Sequence, residues 1–576
     1  MKKIIFATAA FLFSAALFAQ EALKSTEEEY YDFLSLQGIV ERPTLGYRTL
    51  SDSEWKFIEE TVNVLDENGN PLLDEEGNPV TTKVLPSHPW QNNNLGKKYT
   101  LWQSQNQGKN WFTRGYDHNI KCKVYGPEWF NSYNTAAPYG QNDGALWQGK
   151  GYNSSLTGGA RFEMYGFEVT LKPQLSFSQN LSFEMMTSVY PNQYGYYWGY
   201  GLDAPQRFGD AAFWTFDWGD SEFRYTWRSF SLGAGTQALW LGPSQYNPIL
   251  HSNNAPTYPK FDIGLRKTKV FLPFCNWYIG DIESRIWMGY LTESSFFDNN
   301  SSNDHNRING FTFSYNPSFI PGLSFGVTKV CISKWNSFDI RYLNPFYDSN
   351  SGIGEEIGED QKMSCYIDLI IPRVGLELYG ELGLDDYLQG GWIEGLTRYP
   401  FDTLIWTAGL KKSITFSKKK NIYGEVIFEY SDMELARNKV SAKAAYCFNM
   451  HHQVTQGYTN KGQYIGSALA NGGNSQTLSF SLIYPKGKSS ILLQRANPDN
   501  TYSYINLNNE NQTYKGFYII GLENLHYFLP SFTIKTGIAY QHIVNSKYFT
   551  YDSENKVTST ETLHNAIINL TFAYNF

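Results

Sequence analysis

The sequence predicts an all-β chain: a transmembrane antiparallel β-barrel of about sixteen to eighteen tilted strands, preceded by a small helical segment on the periplasmic side. Three observations lead there. After residue 96, apolar and polar residues alternate by twos through stretch after stretch. Aromatic residues make up 17% of the 576, with Tyr 42, Phe 39 and Trp 16, yet hydrophobic residues reach only 41% and mean hydropathy is -0.43. Past the first twenty residues, no apolar run is long enough for a spanning helix, which leaves closed β-structure as the way across a bilayer.

The chain opens MKKIIFATAAFLFSAALFAQ. Lys2 and Lys3 start it, Ile4 to Phe18 is apolar, and Ala19-Gln20 reads as a cleavage point, so residues 1–19 are expected to be a secretory signal peptide. Losing two lysines moves the formal charge from -8 to about -10. That balance, with no basic stretch beyond Lys418–Lys420, argues against nucleic acid as a partner. The five cysteines are scattered, without a CxxC, and read as isolated small residues rather than a disulfide framework.

Residues 20–95 read as a water-facing periplasmic segment. Ser25 with Glu28 three residues on forms a capping box, and Tyr30, Phe33, Leu34 and Leu36 approximate one helical face. SDSEWKFIEETVNVL offers a second short helix. ENGNP and EEGNP recur eight residues apart, and their Asn-Gly, Glu-Gly and Asn-Pro steps are turn chemistry, so residues 66–80 read as an acidic hairpin or loop.

Residues 96–576 read as the barrel. In EFRYTWR, Phe223, Tyr225 and Trp227 alternate with Glu222, Arg224, Thr226 and Arg228; DIESRIWMGY, VGLELYGELGLD, GEVIFEY and FTIKTGIAYQ behave alike. A soluble sandwich alternates too. Rings near strand ends, as interfacial girdles require, and Asn-, Ser- and Gly-rich connections of uneven length favour the membrane barrel. The ending IINLTFAYNF alternates Ile568, Leu570, Phe572, Tyr574 and Phe576 with smaller or polar residues. It resembles the signal read by outer-membrane barrel-assembly machinery, an expected partner. The inward face carries Arg224, Arg228, Arg285 and Lys535 with Glu377, Glu381 and Glu425. Opposite charges there can pair and narrow the lumen.

Three stretches go beyond this pattern: NDGALWQGKGYNSSLTGG at 142–159, LWLGPSQYNPILHSNNAP at 239–256 and HHQVTQGYTNKGQYIGSALANGG at 451–473. With FLSLQGIVERP, FDIRYLNP and YGELGLDD, they resemble, in order along the chain, the Wzi family of capsule-assembly proteins. The resemblance implies eighteen strands, a location in the outer membrane of a Gram-negative-type bacterium, and a lectin-like role in attaching or organising exported capsular polysaccharide. It implies no enzyme. The acidic segment at 66–80 is a departure from the family.

Sugar binding needs flat apolar faces and planar amides or carboxylates. Candidate polysaccharide contacts are Asp143 and Trp147; Trp240, Tyr246, Asn247, Asn253 and Asn254; and Tyr197 and Trp198 in the aromatic run NQYGYYWGYG. The same residues also suit tight turns and interfacial anchoring. Catalytic readings fail: there is no HExxH, GxSxG or P-loop, and the adjacent His451 and His452 would point to opposite faces of a strand. No cofactor or metal is expected, and the protein is expected to be a monomer in outer-membrane lipid. The other reading compatible with the same barrel is a porin-like channel for small solutes such as sugars.

Overall fold

The computed structural model of the chain describes residues 25–46, 56–66, 70–96, 102–105, 119–197, 199, 201–335, 358–385, 397, 404–434, 448–469, 471–502, 515–548, 550–551, 557–558 and 561–576. The expected signal peptide, Trp198 and FDIRYLNP lie outside them.

Eighteen antiparallel strands close into one barrel. In chain order they are β1 Asn119–Asn134, β2 Gly151–Met164, β3 in two pieces (Phe167–Leu171 and Gln174–Ser178), and β4 in two pieces (Phe213–Asp217 and Glu222–Trp227). Next come β5 Phe230–Gly235, β6 Lys260–Phe271, β7 Tyr278–Thr292, β8 His305–Pro317 and β9 Leu323–Lys334. They are followed by β10 Glu359–Ile371, β11 Leu376–Asp385, β12 Ile405–Ser417, β13 Ile422–Asp432 and β14 Asn474–Tyr484. The ring is completed by β15 Gly487–Asn497, β16 Gly516–Leu529, β17 Phe532–Val544 and β18 Leu563–Tyr574. Each strand pairs with its sequence neighbour. Closure comes from β18 on β1, running from Ile567↔Asn134 to Ala573↔Glu128. Closure pairs edges that would otherwise face lipid, which is what makes a sheet tolerable in a bilayer.

Connections of two to six residues lie at one end and of twelve to forty-one at the other. The alternation is physical: along β6, Lys260 and Asp262 are buried while Phe261 and Ile263 are 67% and 50% exposed. Rings crowd the strand ends beside the short turns, as with Trp227, Trp277, Phe319, Phe416 and Phe528, all exposed on the outside. Arg228 is not a lumen residue. It sits at positive φ in the turn between β4 and β5, its guanidinium 4.9 Å from the Trp227 ring. Cys122, Cys331 and Cys365 are free thiols on strands, as expected, while Cys275 is an exposed thiol in a short turn.

The inward rows are layered. On β7, Asp281, Glu283 and Arg285 line the half near the short turns, then Trp287 and Leu291 the half near the long loops. On β8 and β9 the apolar inward residues Ile308, Val330 and Ile332 fall in that second half too. No helix of the described residues is long and apolar enough to cross a membrane.

The N-terminal segment contains one helix, α1, Thr26–Leu36, opened by the Ser25–Glu28 capping box in both directions (3.1 and 3.2 Å). The second helix expected over 51–65 does not form: Lys56–Phe57 and Glu60–Asn63 are strands. Glu60–Asn63 is exposed throughout, so no buried face seats a helix, and the segment pairs instead with Val40–Glu41 and Thr81–Val84. Nor is the whole segment water-facing, because α1 is buried in the barrel mouth.

Candidate functional site

Two plugs fill the lumen. The first is α1 at the short-turn end. Its Tyr30, Phe33, Leu34 and Leu36 are buried, together with Trp90, against Tyr423 of β13, Ile483 of β14 and Leu525 and Tyr527 of β16. Tyr30 stacks on Trp90 at 4.1 Å, and its hydroxyl accepts the Trp90 N–H (2.8 Å) while lying 2.7 Å from His88 Nδ1. Burial pushes the His88 imidazole down to about 4, so it is neutral. The helix's other face is acidic and is gripped by wall cations: Glu27 by Lys123, Glu29 by Lys488 (3.2 Å) and Asp32 by Lys411.

From α1 the chain climbs the lumen. Arg42 bridges Asp32 (2.6 Å), Asp368 of β10 (3.1 Å) and Glu377 of β11 (2.9 Å). Thr44 Oγ1 and the Leu45 N–H donate to Glu283. The Gly242 N–H then donates to the Gly46 carbonyl (3.1 Å), joining this thread to the second plug. Both glycines are required there. A Cβ on Gly46 would sit 2.1 Å from the Tyr366 hydroxyl, and Gly242 is at φ +92 with the Glu381 carboxylate 2.8 Å from where its Cβ would be.

The second plug is the connection 236–259, folded down into the barrel from the long-loop end. Glu429 of β13 accepts the backbone N–H groups of Gln245 (2.6 Å), Tyr246 (3.1 Å) and Asn247 (2.8 Å) and the Tyr379 hydroxyl (2.9 Å). Glu381 of β11 accepts from the Ser244 hydroxyl (2.9 Å) and the Ile249 N–H (3.3 Å). Above these carboxylates Leu239, Leu241, Ile249, Leu250 and Tyr258 form an apolar core with wall residues Trp287, Leu291, Ile308, Val330 and Ile332, and with Val454, Tyr458, Ile465 and Leu469 of the connection 433–473. His251 lies inside it, 2.8 Å from the Tyr258 hydroxyl and 3.3 Å from that of Tyr458. Burial, with Lys260 and Arg285 nearby, pushes its imidazole down to about 3. Glu377 and Glu381, expected on the inward face, are each 1% exposed and serve as anchors for the two plugs.

Between the plugs lies a chamber of about 470 Å³. Trp240 and Tyr246 bound it on the loop side. Asp32, Arg42 and Lys411 bound it on the α1 side. A second hollow of about 300 Å³, sharing Tyr139, Tyr246, Glu523 and Lys535, extends it to Asp143, Gln141 and Gln148. Burial pushes the Asp143 carboxyl up to about 7, although Gln148 and the Gln141 backbone stabilise its charged form.

The candidate residues therefore separate. Trp240, Tyr246 and Asp143 line the chamber. Asn247 is wholly buried and holds loops together, donating to Glu429 and Ser475 and accepting from Gln141 and Ser467. Asn253 donates to the Asn142 carbonyl, and Asn254 donates to the Tyr464 carbonyl and accepts the Asn142 N–H. Trp147 lies edge-on to Phe208 at 5.1 Å, its buried indole N–H without an acceptor among the described residues. Tyr197 belongs to another group, with Tyr196, Tyr502 and Tyr548. Its hydroxyl donates to Asp499 at 2.5 Å, as does that of Tyr196. Asp499, Tyr502 and Tyr548 were not legible as partners, because hundreds of residues separate them from Tyr197 and no local pattern marks them. Arg42 was missed for the same reason.

These features define a class: a closed transmembrane barrel whose lumen is stoppered by its own chain. No family model matches the chain, and no curated protein matches it by sequence. Among solved structures it is similar to Wzi of Escherichia coli, an outer-membrane protein involved in group 1 capsule assembly and a carbohydrate-binding β-barrel. The likeness has a TM-score of 0.51 at 14% identity over 78% of this chain and 84% of that one. It is also similar to OccAB1 of Acinetobacter baumannii (TM-score 0.37, 8% identity, 79% and 96% covered). OprB of Pseudomonas putida gives TM-score 0.34, 10% identity, and 79% and 94% covered. The resemblance to Wzi read in the sequence holds at the level of the fold.

Proposed function

We propose that the chain is an outer-membrane, lectin-like barrel that binds exported capsular polysaccharide and helps attach or organise it at the cell surface. The short turns and α1 then face the periplasm and the long loops the outside, with β18 as the segment the barrel-assembly machinery engages. One observation carries the reading: among the described residues, the lumen is filled from both ends, with an apolar core above and a ring-packed helix below. A solute channel needs a continuous watery path, and a surface-binding protein does not. The similarity to a carbohydrate-binding barrel supports the same reading.

Trp240, Tyr246, Asp143, Trp147 and Tyr197 stay as candidate sugar contacts, while Asn247, Asn253 and Asn254 act by fixing the loops that carry them. A deletion strain should shed capsular glycan into the medium, and the purified protein should bind that glycan. Trp240→Ala and Tyr246→Ala should weaken binding by about tenfold with the folded barrel unchanged, since stacking on a ring is worth on the order of 1 kcal/mol. Glycan that stays cell-associated without the protein would sink the role. Large steady conductance in planar bilayers would favour the porin-like alternative.

A further inference from the structure

The acidic repeat folds into something more specific than a hairpin. Asp66 and Asp74 hold equivalent places in the repeat, their N–H groups donating to the carbonyls of Asn70 and Asn78 (both 2.8 Å). Each aspartate also accepts the N–H of that same asparagine (both 2.8 Å). Two arms, bridged at Leu65↔Pro71 and Leu73↔Pro79, thus join a stem of Glu60–Asn63 paired with Thr81–Val84. The three arms meet in a ring of backbone hydrogen bonds: Val64 N–H to Val80 (2.8 Å), Val80 N–H to Leu72 (2.7 Å) and Leu72 N–H to Val64 (2.7 Å). The module is mounted on the body through Phe57, whose ring meets Tyr31 and His88, and through the Ile58 N–H on the Ile39 carbonyl (2.9 Å).

Hydrogen bonds join the three arms, but the module leaves apolar side chains in the open. Ile58, Val62, Leu65, Leu72, Leu73, Val84 and Leu85 are all exposed, with Leu65 and Leu73 at 58% and 57%. The stem is a two-stranded sheet, so each strand has one outer edge unpaired among the described residues. Soluble surfaces seldom retain both features without a partner. Charge selects which partner. Residues 56–85 carry seven carboxylates against Lys56 and Lys83, a net -5 within a chain of net -8. That field repels a second copy and anionic lipid, and attracts a cationic segment.

We propose that this three-armed module is a docking surface for a partner protein that presents a basic, apolar-alternating extended segment, added as a strand along a free edge of the stem. Backbone pairing would supply register, the exposed aliphatics would take the partner's apolar side chains, and the carboxylates would take its lysines or arginines. The outer-membrane reading enters only in placing that partner in the periplasm.

The test uses the full-length protein in detergent micelles with two labelled peptides of about ten residues, a usual strand length, one alternating Val with Lys and one alternating Val with Glu. Anisotropy should show the Lys peptide binding at least about tenfold tighter, with the advantage shrinking as salt rises. Leu65→Ser with Leu73→Ser should cost about tenfold. Reversing Glu59, Glu60, Glu75 and Glu76 to Lys should invert the peptide preference. Heat-modifiable mobility should be unchanged in all variants, because these side chains support nothing in the barrel. In cells, a photo-crosslinker replacing Leu73 should give an adduct with one other protein, lost on charge reversal. Equal affinity for the two peptides, an adduct at twice the chain mass, or no protein adduct would overturn the proposal. Capsule retention is read separately, so failure here leaves the proposed function standing.

Discussion

The two plugs do one job by opposite means. At the short-turn end, side chains do the holding: rings on one face of α1 and carboxylates on the other, met by Trp90, Tyr423, Lys411 and Lys488 from elsewhere. At the long-loop end the connection 236–259 has little regular structure, and its own backbone is held, three consecutive N–H groups converging on Glu429. A helix satisfies its backbone internally and can be seated by side chains alone. An irregular loop in a lumen must find acceptors, or leave costly unpaired donors. The wall supplies those acceptors as inward carboxylates.

That contrast can be broken most forcefully at Phe33. The side chain is fully buried, edge-on to Tyr423 at 5.9 Å. Phe33→Ala should cost about 3–5 kcal/mol. Because α1 is a separate short element, that loss should unseat it rather than unfold the barrel. Purified protein should then show a lower unfolding midpoint in urea and new proteolytic cleavage between Ser25 and Gly46. An unchanged midpoint and an uncut segment would mean the rings do not seat α1.

The next largest effect is at the other plug. Glu429→Ala strands the N–H groups of Gln245, Tyr246 and Asn247 and the Tyr379 hydroxyl. At about 1–3 kcal/mol for each donor left dry, the loop should rearrange to reach water before the full cost falls due. A net loss of about 3 kcal/mol is expected, with protease sensitivity appearing at 236–259 and not at α1. Cleavage at both places would show that the Gly46–Gly242 contact couples the plugs.

What the sequence made legible follows from these mechanisms. Period two, the ring-rich strand ends and the capping box at Ser25 are local patterns, and they matched the strands, the girdle and α1. The seat of α1 was hidden, since Lys411 and Lys488 are hundreds of residues from Asp32 and Glu29. The apolar upper lumen was hidden as well. Trp287 and Ile308 face inward, where alternation in a water-filled barrel predicts polar residues, and only a loop core explains them. Asn247, Asn253 and Asn254 were legible as a loop-forming run, but amides suited to a sugar hydroxyl are equally suited to a carbonyl of the next loop. The second helix failed because nothing buries a face of residues 56–63, and pairing across a stem decided their conformation.

Acidification should weaken both plugs, by less than the core substitutions near neutrality. His88 and His251 have imidazoles pushed from 6.5 down to about 4 and about 3. Through these two groups the folded state binds fewer protons than the unfolded one below pH 6.5, and their contribution to stability falls as pH falls. The slope approaches about 1.4 kcal/mol per pH unit for each group. It flattens near pH 4 for His88 and near pH 3 for His251. The raised Asp143 carboxyl acts with the opposite sign over the same range, so the test is the difference between proteins: between pH 7 and 4, His88→Gln should lose less stability on acidification than the unaltered protein, by about the His88 slope. A profile unmoved by His88→Gln would show that the α1 seat does not sense pH through this residue.

The smallest effect sharpens the comparison most. Lys488 holds Glu29 at 3.2 Å, but Glu29 is 39% exposed and water competes for the pair. Lys488→Gln should cost no more than about 0.5–1 kcal/mol, and that difference should vanish in about 1 M salt, where screening reaches across only a few ångströms. Rings and cations make different claims on α1: apolar burial should not depend on salt in this way, whereas a charge clamp should loosen with it. If Lys488→Gln instead rivals Phe33→Ala in the urea midpoint, the short-turn plug is held by charge, and high salt alone should expose the 25–46 segment to protease in the unaltered protein.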